Sequence, residues 1–176
     1  QLIGLILLSF FIVSILLVPF INLLYHIKFL RQHQKTRDIF EVRTPIFDKL
    51  HAHKIGTPLG GGALIIIIVS VIYYGAISLL PTFGIERTSL YPYQKEFQII
   101  LFTFLSFGLL GLYDDLRKTF GFKKTNFWGL RFRYKFAAQW ALALIIAFIL
   151  YKALGISIVN IRFFDVIHLG VLYIPF

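Results

Sequence analysis

Two adjacent carboxylates, Asp114 and Asp115, directly follow the apolar run from Phe97 to Tyr113. Like charges repel, and at the carboxyl end of a helix they also oppose the helix dipole, so cations must offset them. Arg117 and Lys118 stand within one turn. A metal would serve as well, since Mg²⁺ typically takes one or two protein carboxylates and completes its shell with phosphate oxygens and water. The pair therefore indicates either a metal and phosphate site or a solvated ion-pair cluster with its basic neighbours.

A lysine, a Thr-Pro pair and three glycines precede a second apolar run, in the stretch KIGTPLGGGALIIII that begins at Lys54. Pro58 suits the first turn of a helix, and the unpaired N–H groups of such a turn suit a phosphate. The glycines alone are better explained by tight helix packing, so the phosphate interpretation depends on the ammonium of Lys54. His51 and His53 have no third ligand close in sequence, and we predict no zinc site there.

The composition around these residues is that of a membrane protein. Of the 176 residues, 58% are hydrophobic and 15% are charged, whereas an average soluble domain has about 25% charged residues. A spanning helix needs about 20 mainly apolar residues. The runs predict an all-α, polytopic integral membrane protein with four spanning helices and the start of a fifth, in a single membrane domain 1–176. The spans are predicted at about 2–25, 59–80, 97–113, 136–154 and 169–176, the last one truncated.

The net charge of +10 follows the predicted topology. Alternate connections are basic, and basic loops stay in the cytoplasm under the positive-inside rule. The N-terminus is therefore predicted outside, with both motifs at the cytoplasmic face. Alternation of this kind favours membrane lipid and not nucleic acid as the partner of the basic residues. Those of the first and third connections are Lys28, Arg31, Lys35, Arg37, Arg43, Lys49, Lys54, Arg117, Lys118, Lys123, Lys124, Arg131, Arg133 and Lys135.

Together these features predict a cytoplasm-facing site for Mg²⁺-assisted phosphoryl transfer at the depth of the lipid headgroups. Three blocks, in the correct order, resemble the polyprenyl-phosphate N-acetylhexosamine-1-phosphate transferases, and within them the muramoyl-pentapeptide branch of peptidoglycan synthesis. HAHKIGTPLGGG resembles the family's His-x-x-Lys-x-Gly-Thr-Pro-x-x-Gly-Gly, GLYDDLRK its Asp-Asp-x-x-Lys, and GLRFRYKFAAQ its Gly-Leu-x-x-(Lys/Arg)-x-Lys-x-x-x-Gln. The matching residues are His51, Lys54, Gly56, Thr57, Pro58, Gly61, Gly62, Asp114, Asp115, Lys118, Gly129, Leu130, Arg133, Lys135 and Gln139.

The resemblance implies a ten-helix enzyme of the bacterial plasma membrane, of which this chain would be the N-terminal half, with a cytoplasmic active site. The implied reaction transfers phospho-N-acetylmuramoyl-pentapeptide from its UDP donor to undecaprenyl phosphate, releases UMP and forms lipid I. The implied cofactor is Mg²⁺, and a homodimer is compatible with the resemblance.

By the same resemblance, Asp114 and Asp115 are the catalytic residues. Asp114 would accept or orient the lipid phosphate, and Asp115 would support that charge and bind the metal. The main Mg²⁺ ligand is expected beyond Phe176, in the family's Asn-x-x-Asp-Gly-x-Asp-Gly motif, so the 176-residue chain alone is expected to be inactive. The implied substrate-binding residues are Lys54, Thr57, Gly61, Gly62, Lys118, Arg133 and Lys135.

Two alternatives stay open at this point. Leu59 stands where the muramoyl-pentapeptide branch usually has a second Thr, and Gly60 where it often has Met. A sister transferase that uses UDP-N-acetylglucosamine is therefore the nearest alternative. The alternative of another class is a non-catalytic channel or scaffold, although no span carries the row of polar residues that a pore needs.

Overall fold

The computed structural model describes residues 2–32, 40, 42–84, 90–120, 131–160 and 166–175. Within these ranges the chain forms five α-helices, three short 3-10 helices and one pair of strands. The α-helices are α1 (Leu2–His26), α2 (Pro45–Leu50), α3 (Gly61–Leu79), α4 (Tyr93–Phe120) and α5 (Phe132–Leu154). The 3-10 helices are Ala52–Lys54, Leu80–Phe83 and Gly170–Tyr173, and the strands are β1 (Ile158–Asn160) and β2 (Val166–His168).

Four of the helices, α1, α3, α4 and α5, are long and apolar enough to cross a membrane. The predicted all-α, polytopic membrane fold is therefore confirmed. Helix α4 has 28 residues, which at about 1.5 Å per residue gives a length of roughly 42 Å. Since the hydrocarbon core of a bilayer is about 30 Å thick, part of α4 must lie outside it. The polar end of the helix, from Asp114 onward, is the part that water and headgroups can accommodate.

The first of two compact units contains residues 1–85 and 108–134. In it α1 packs against α3, and Leu24, Leu64 and Ile68 are among its buried side chains. At Gly108 the backbone of α4 comes very close to α3, since a β-carbon built there would lie 2.8 Å from Cγ1 of Ile66. A small residue at a helix crossing permits this close approach, so Gly108 helps to set where the carboxyl half of α4 lies against α3.

The second unit contains residues 86–107 and 135–176. Its two strands pair in antiparallel fashion, with Ile158 opposite His168 and Asn160 opposite Val166; the sequence analysis did not predict them. An apolar groove of about 530 Å³ runs along α5, lined in part by Phe136 and Trp140. The segment predicted to begin a fifth span carries the 3-10 helix Gly170–Tyr173, and the fifth span stays a prediction.

Candidate active site

The last turns of α4 carry the two carboxylates and the lysine that the sequence singled out. The Nζ atom of Lys118 lies 2.8 Å from Oδ2 of Asp114 and 3.1 Å from Oδ1 of Asp115. These are i,i+4 and i,i+3 pairs, the separations at which side chains on one helix can meet. A single ammonium therefore bridges both carboxylates, and the helix itself sets the geometry.

The two carboxylates differ in their access to solvent. The side chain of Asp114 is 6% exposed, whereas that of Asp115 is 27% exposed. A charged group withdrawn from water is costly unless it is paired and hydrogen-bonded, and the Lys118 ammonium provides one such partner for Asp114 at 2.8 Å. Asp115 keeps an open side from which a metal or a ligand can approach. The two carboxylates therefore differ in burial, and the division of work predicted for them stays a prediction.

Arg117, the other cation expected near the carboxylates, lies elsewhere. Its guanidinium carbon is 6.0 Å from the centre of the Tyr113 ring, at the outer limit of a cation–π contact. Its Nε atom is buried and has no hydrogen-bond partner among the residues that the structure describes. Of these two neighbouring cations, Lys118 is the one that forms salt bridges with the carboxylates in the described structure.

The loop of the first motif is held by its backbone. It runs alongside the segment that leaves α1, and Leu30 pairs with Pro58 as an isolated antiparallel bridge. Three backbone hydrogen bonds join the two segments: Arg31 N–H to Thr57 C=O (2.9 Å), Gly56 N–H to Arg31 C=O (3.0 Å) and Leu59 N–H to Phe29 C=O (2.9 Å). Backbone groups contribute these bonds whatever the side chains are, so the loop is positioned without using its lysine.

Thr57 closes a turn inside this loop. Its hydroxyl donates a hydrogen bond of 2.7 Å to the carbonyl oxygen of Lys54, and its backbone N–H donates to the same oxygen at 3.2 Å. Gly56, between them, has a φ of 82°, a conformation that glycine adopts without steric cost. Thr57 thus has a local structural role, and its predicted role in substrate binding stays a prediction.

The three glycines of the motif are not equivalent. A β-carbon at Gly61 or Gly62 would meet nothing within 4 Å in the described structure, whereas one at Gly60 would overlap the ring of Phe29. Tight packing therefore explains Gly60 and does not explain the other two. Gly61 and Gly62 are exposed at the first turn of α3, where their predicted role in substrate binding stays a prediction.

The third block of the sequence lies at the start of α5. Arg133 is exposed and Lys135 is half-buried, both in the first turn of that helix. Gly129 and Leu130 lie outside the described residues. The predicted binding roles of Arg133 and Lys135 therefore stay predictions.

Sequence reasoning missed Phe29. Its side chain is 4% exposed, although an aromatic residue just beyond a span is expected at the membrane surface. Its ring contacts Gly60 on the first motif and lies 5.6 Å, between ring centroids, from Phe120 at the end of α4. No local pattern in the sequence marks this burial, because it depends on contacts with two segments that are distant in the chain.

A Mg²⁺ ion would have limited support from the described residues. No group of three or more His, Cys, Asp or Glu side chains converges within them. Asp115 nevertheless fits one role, since Mg²⁺ needs only one or two protein carboxylates when substrate phosphates complete its shell. His51 is otherwise engaged, with Nδ1 3.0 Å from the carbonyl oxygen of Phe47 and its ring stacked on the Phe47 ring.

Comparison with known proteins decides the family. The chain is 33% identical over 131 residues to the phospho-N-acetylmuramoyl-pentapeptide-transferase of Caldanaerobacter subterraneus subsp. tengcongensis. It is 30% identical over 169 residues to the protein of that name from Streptococcus suis and 34% identical over 154 residues to the one from Rickettsia canadensis. These alignments cover 73%, 94% and 85% of the chain. The chain belongs to the phospho-N-acetylmuramoyl-pentapeptide-transferase family.

The chain spans less than half the length of these curated relatives, with shares of 35%, 43% and 37%. No family model and no solved structure matches it. Membership in the phospho-N-acetylmuramoyl-pentapeptide-transferase family supports an enzyme in a membrane and does not favour a channel or scaffold. The lysine-bridged carboxylates of α4 are accordingly its candidate active site.

Proposed function

We propose that the protein transfers phospho-N-acetylmuramoyl-pentapeptide from its UDP donor to undecaprenyl phosphate. The observation that carries this proposal is the bridge from Lys118 to Asp114 and Asp115 at the polar end of an apolar, membrane-length helix. Such a cluster lies where a lipid phosphate and a soluble nucleotide can meet. The names of the relatives supply the donor and the reaction class.

In this reaction an oxygen of the lipid phosphate attacks the β-phosphorus of the donor. The bond from that phosphorus to the bridging oxygen breaks, UMP leaves with that oxygen, and a lipid-linked pyrophosphate remains. Both reactants are anions, so positioning and charge stabilisation account for most of the catalysis. Lys118 and Lys54 are the described cations proposed to engage the phosphates.

A carboxylate repels a phosphate, so Asp114 acts on the lipid phosphate through its partner. It holds the Lys118 ammonium at 2.8 Å and thereby orients that ammonium toward the incoming oxygen. If the lipid phosphate arrives protonated, which its second pKa of about 6 permits, a carboxylate of this cluster accepts the proton. The orienting role suits the buried side chain of Asp114, and the proton-accepting role suits a carboxylate that a ligand can reach, as the more exposed Asp115 is.

Mg²⁺ would be held on this chain by Asp115, the more exposed carboxylate. When bound, the ion would neutralise charge on the pyrophosphate of the UDP donor, whose bridging P–O bond breaks in the reaction. Asp115 already contacts Lys118 at 3.1 Å, so the ammonium and the ion would share one carboxylate. We place this site at the cytoplasmic face of the bacterial plasma membrane, following the distribution of basic residues.

Membranes that contain the full-length protein test the proposal. They are supplied with undecaprenyl phosphate and either UDP-N-acetylmuramoyl-pentapeptide or UDP-N-acetylglucosamine, and released UMP is measured with and without a Mg²⁺ chelator. We expect release from the muramoyl-pentapeptide donor alone, and its loss on chelation. UMP release from UDP-N-acetylglucosamine instead would show that the protein is the sister transferase that uses this donor. If folded protein releases UMP from neither donor, the proposed transfer is contradicted in favour of a non-catalytic channel or scaffold.

A further inference from the structure

Phe29 is folded inward by the way α1 ends. Lys28 adopts a φ of 56°, its N–H donates to the carbonyl oxygen of Tyr25, and the N–H of Phe29 donates to that of Leu24 at 2.9 Å. This is the pair of bonds of a Schellman motif, with Lys28 where glycine is usual. The motif reverses the chain and turns Phe29 back toward the unit that α1 belongs to.

One side of the Phe29 ring supports the first motif. Gly60 has a φ of 79° and comes so close to the ring that a β-carbon there would overlap it. The N–H of Leu59 donates to the carbonyl oxygen of Phe29 at 2.9 Å. The last residues before α3 therefore rest on Phe29 through both its side chain and its backbone.

The other contact of the ring is with α4. The centroids of the Phe29 and Phe120 rings are 5.6 Å apart at an interplanar angle of 53°, within the range of favourable aromatic pairs. Phe120 follows Lys118 by two residues, on the same helix end as the carboxylates. Phe29 thus contacts both elements that carry the candidate active site.

We infer that Phe29 is a positioning residue, which fixes the loop from Lys54 to Gly62 relative to the carboxyl end of α4. The inference rests on the proposed function for its catalytic consequence. Each motif has local bonds of its own, so removal of the ring leaves both intact and loosens their relative placement. A misplacement of about 1 Å can cost about 100-fold in rate.

The first test compares two buried side chains in the same unit. Phe29 and Ile68 are each 4% exposed; Phe29 contacts both motifs, whereas Ile68 lies within the apolar helix α3. In the full-length protein we expect Phe29→Ala to lower kcat for UMP release by about 10- to 100-fold, and Phe29→Tyr, which keeps the ring, to restore it. Ile68→Ala serves as the matched control and is expected to change kcat by less than about 3-fold. Equal losses of kcat in Phe29→Ala and Ile68→Ala would overturn the inference.

A second readout does not depend on activity. The 176 residues contain no cysteine, and any cysteine elsewhere in the full-length protein is first replaced by serine. Spin labels are then attached at Ile55→Cys in the loop and Leu116→Cys on α4, both exposed positions. We expect Phe29→Ala to broaden the distribution of distances between the labels and Ile68→Ala to leave it narrow. An unchanged distribution in Phe29→Ala would overturn the inference even if the transferase activity is present. Broadening in a protein that releases no UMP would contradict the proposed function and leave the structural link intact.

Phe120→Ala covers the case in which Phe29→Ala fails to fold. Phe120 is 62% exposed, so its removal leaves most of the packing in place while it removes one ring contact of Phe29. The same broadening is expected, and a distribution identical to that of the wild type would count against the inference.

Discussion

The two regions of the candidate site are stabilised by different groups. At the carboxyl end of α4 the interactions are between side chains, since one lysine forms ion pairs with two carboxylates. The loop from Lys54 to Gly62 is instead positioned by hydrogen bonds between its backbone and the backbone of the segment after α1. The first arrangement leaves charge at the site and can be changed by a single substitution. The second leaves the Lys54 side chain outside these bonds. We propose that α4 supplies the reacting charges, whereas the loop supplies a fixed frame from which Lys54 would bind a phosphate.

The largest effect is expected when a charge of the α4 cluster is removed. Asp115→Asn keeps the shape of the side chain but removes the carboxylate that is open to a ligand. We expect kcat for UMP release to fall by about 10²- to 10³-fold, the size typical of a lost catalytic group. Glu96→Gln, at the other end of the same helix, is the control and should stay within about 2-fold of the wild type.

A smaller effect is expected at Lys118. Lys118→Met removes both ion pairs and leaves the buried carboxylate of Asp114 without its ammonium, which should lower the free energy of unfolding by about 1–3 kcal/mol. The partial exposure of Lys118 keeps this below the cost of a fully buried pair. Lys118→Arg, which keeps the charge, should recover most of the stability. Unfolding in a denaturing detergent measures the stability of both variants, and a Lys118→Met protein as stable as the wild type would contradict a stabilising role of the two Lys118 ion pairs.

A substitution that changes no charge tests how closely α4 packs against α3. Gly108→Ala forces a β-carbon against Ile66, and overpacking of this kind typically costs about 1–3 kcal/mol. A β-carbon at Gly111, one turn further along α4, would meet no atom of the described residues within 4 Å, so Gly111→Ala should be neutral or stabilising by up to about 1 kcal/mol. Denaturation of the two variants side by side should give opposite signs. Equal stability would show that α3 and α4 do not approach each other closely at Gly108.

The smallest effect is expected in the loop. Thr57→Val removes the hydroxyl bond to the Lys54 carbonyl, worth about 0.5–1.5 kcal/mol at most in so exposed a place. Thr82→Val removes a bond of the same kind, from Thr82 to the carbonyl oxygen of Leu79 at 2.6 Å. Similar small losses of stability are expected from both. Only Thr57→Val should raise KM for the UDP donor. An equal KM in both variants would show that this loop does not take part in binding the donor.

Much of the α4 cluster could be predicted from sequence. The spacing of Asp114, Asp115 and Lys118 brings them together on any helix, and only the extent of the helix had to be known. The residues after Tyr113 include no glycine or proline before Gly121, so the helix continues beyond its apolar part. The membrane-spanning helices could also be predicted, because the length and hydrophobicity of each apolar run are enough to identify them.

The loop and its support could not be predicted in the same way. The overlap at Gly60 requires the position of Phe29, which is 31 residues earlier in the chain, and the Phe29–Phe120 contact joins segments 91 residues apart. Lys28 at a positive φ gives no sequence signal, since glycine is the usual residue there. The short strands β1 and β2 were missed because their few apolar residues continue the hydrophobic character of α5. Contacts of this kind arise from packing and leave no periodic pattern.

We propose that the α4 cluster and the loop bind one and the same ligand. The direct test is the Tm of the purified full-length protein with and without UDP-N-acetylmuramoyl-pentapeptide and Mg²⁺, for the wild type, Asp115→Asn and Lys54→Met. A ligand that binds only the folded state at about 100 times its Kd stabilises it by about 2.7 kcal/mol, so we expect the wild-type Tm to rise by several degrees. We expect both variants to lose most of that rise. A full wild-type rise of Tm in Lys54→Met would show that the loop does not contribute to the site and would contradict the binding of one ligand by both elements.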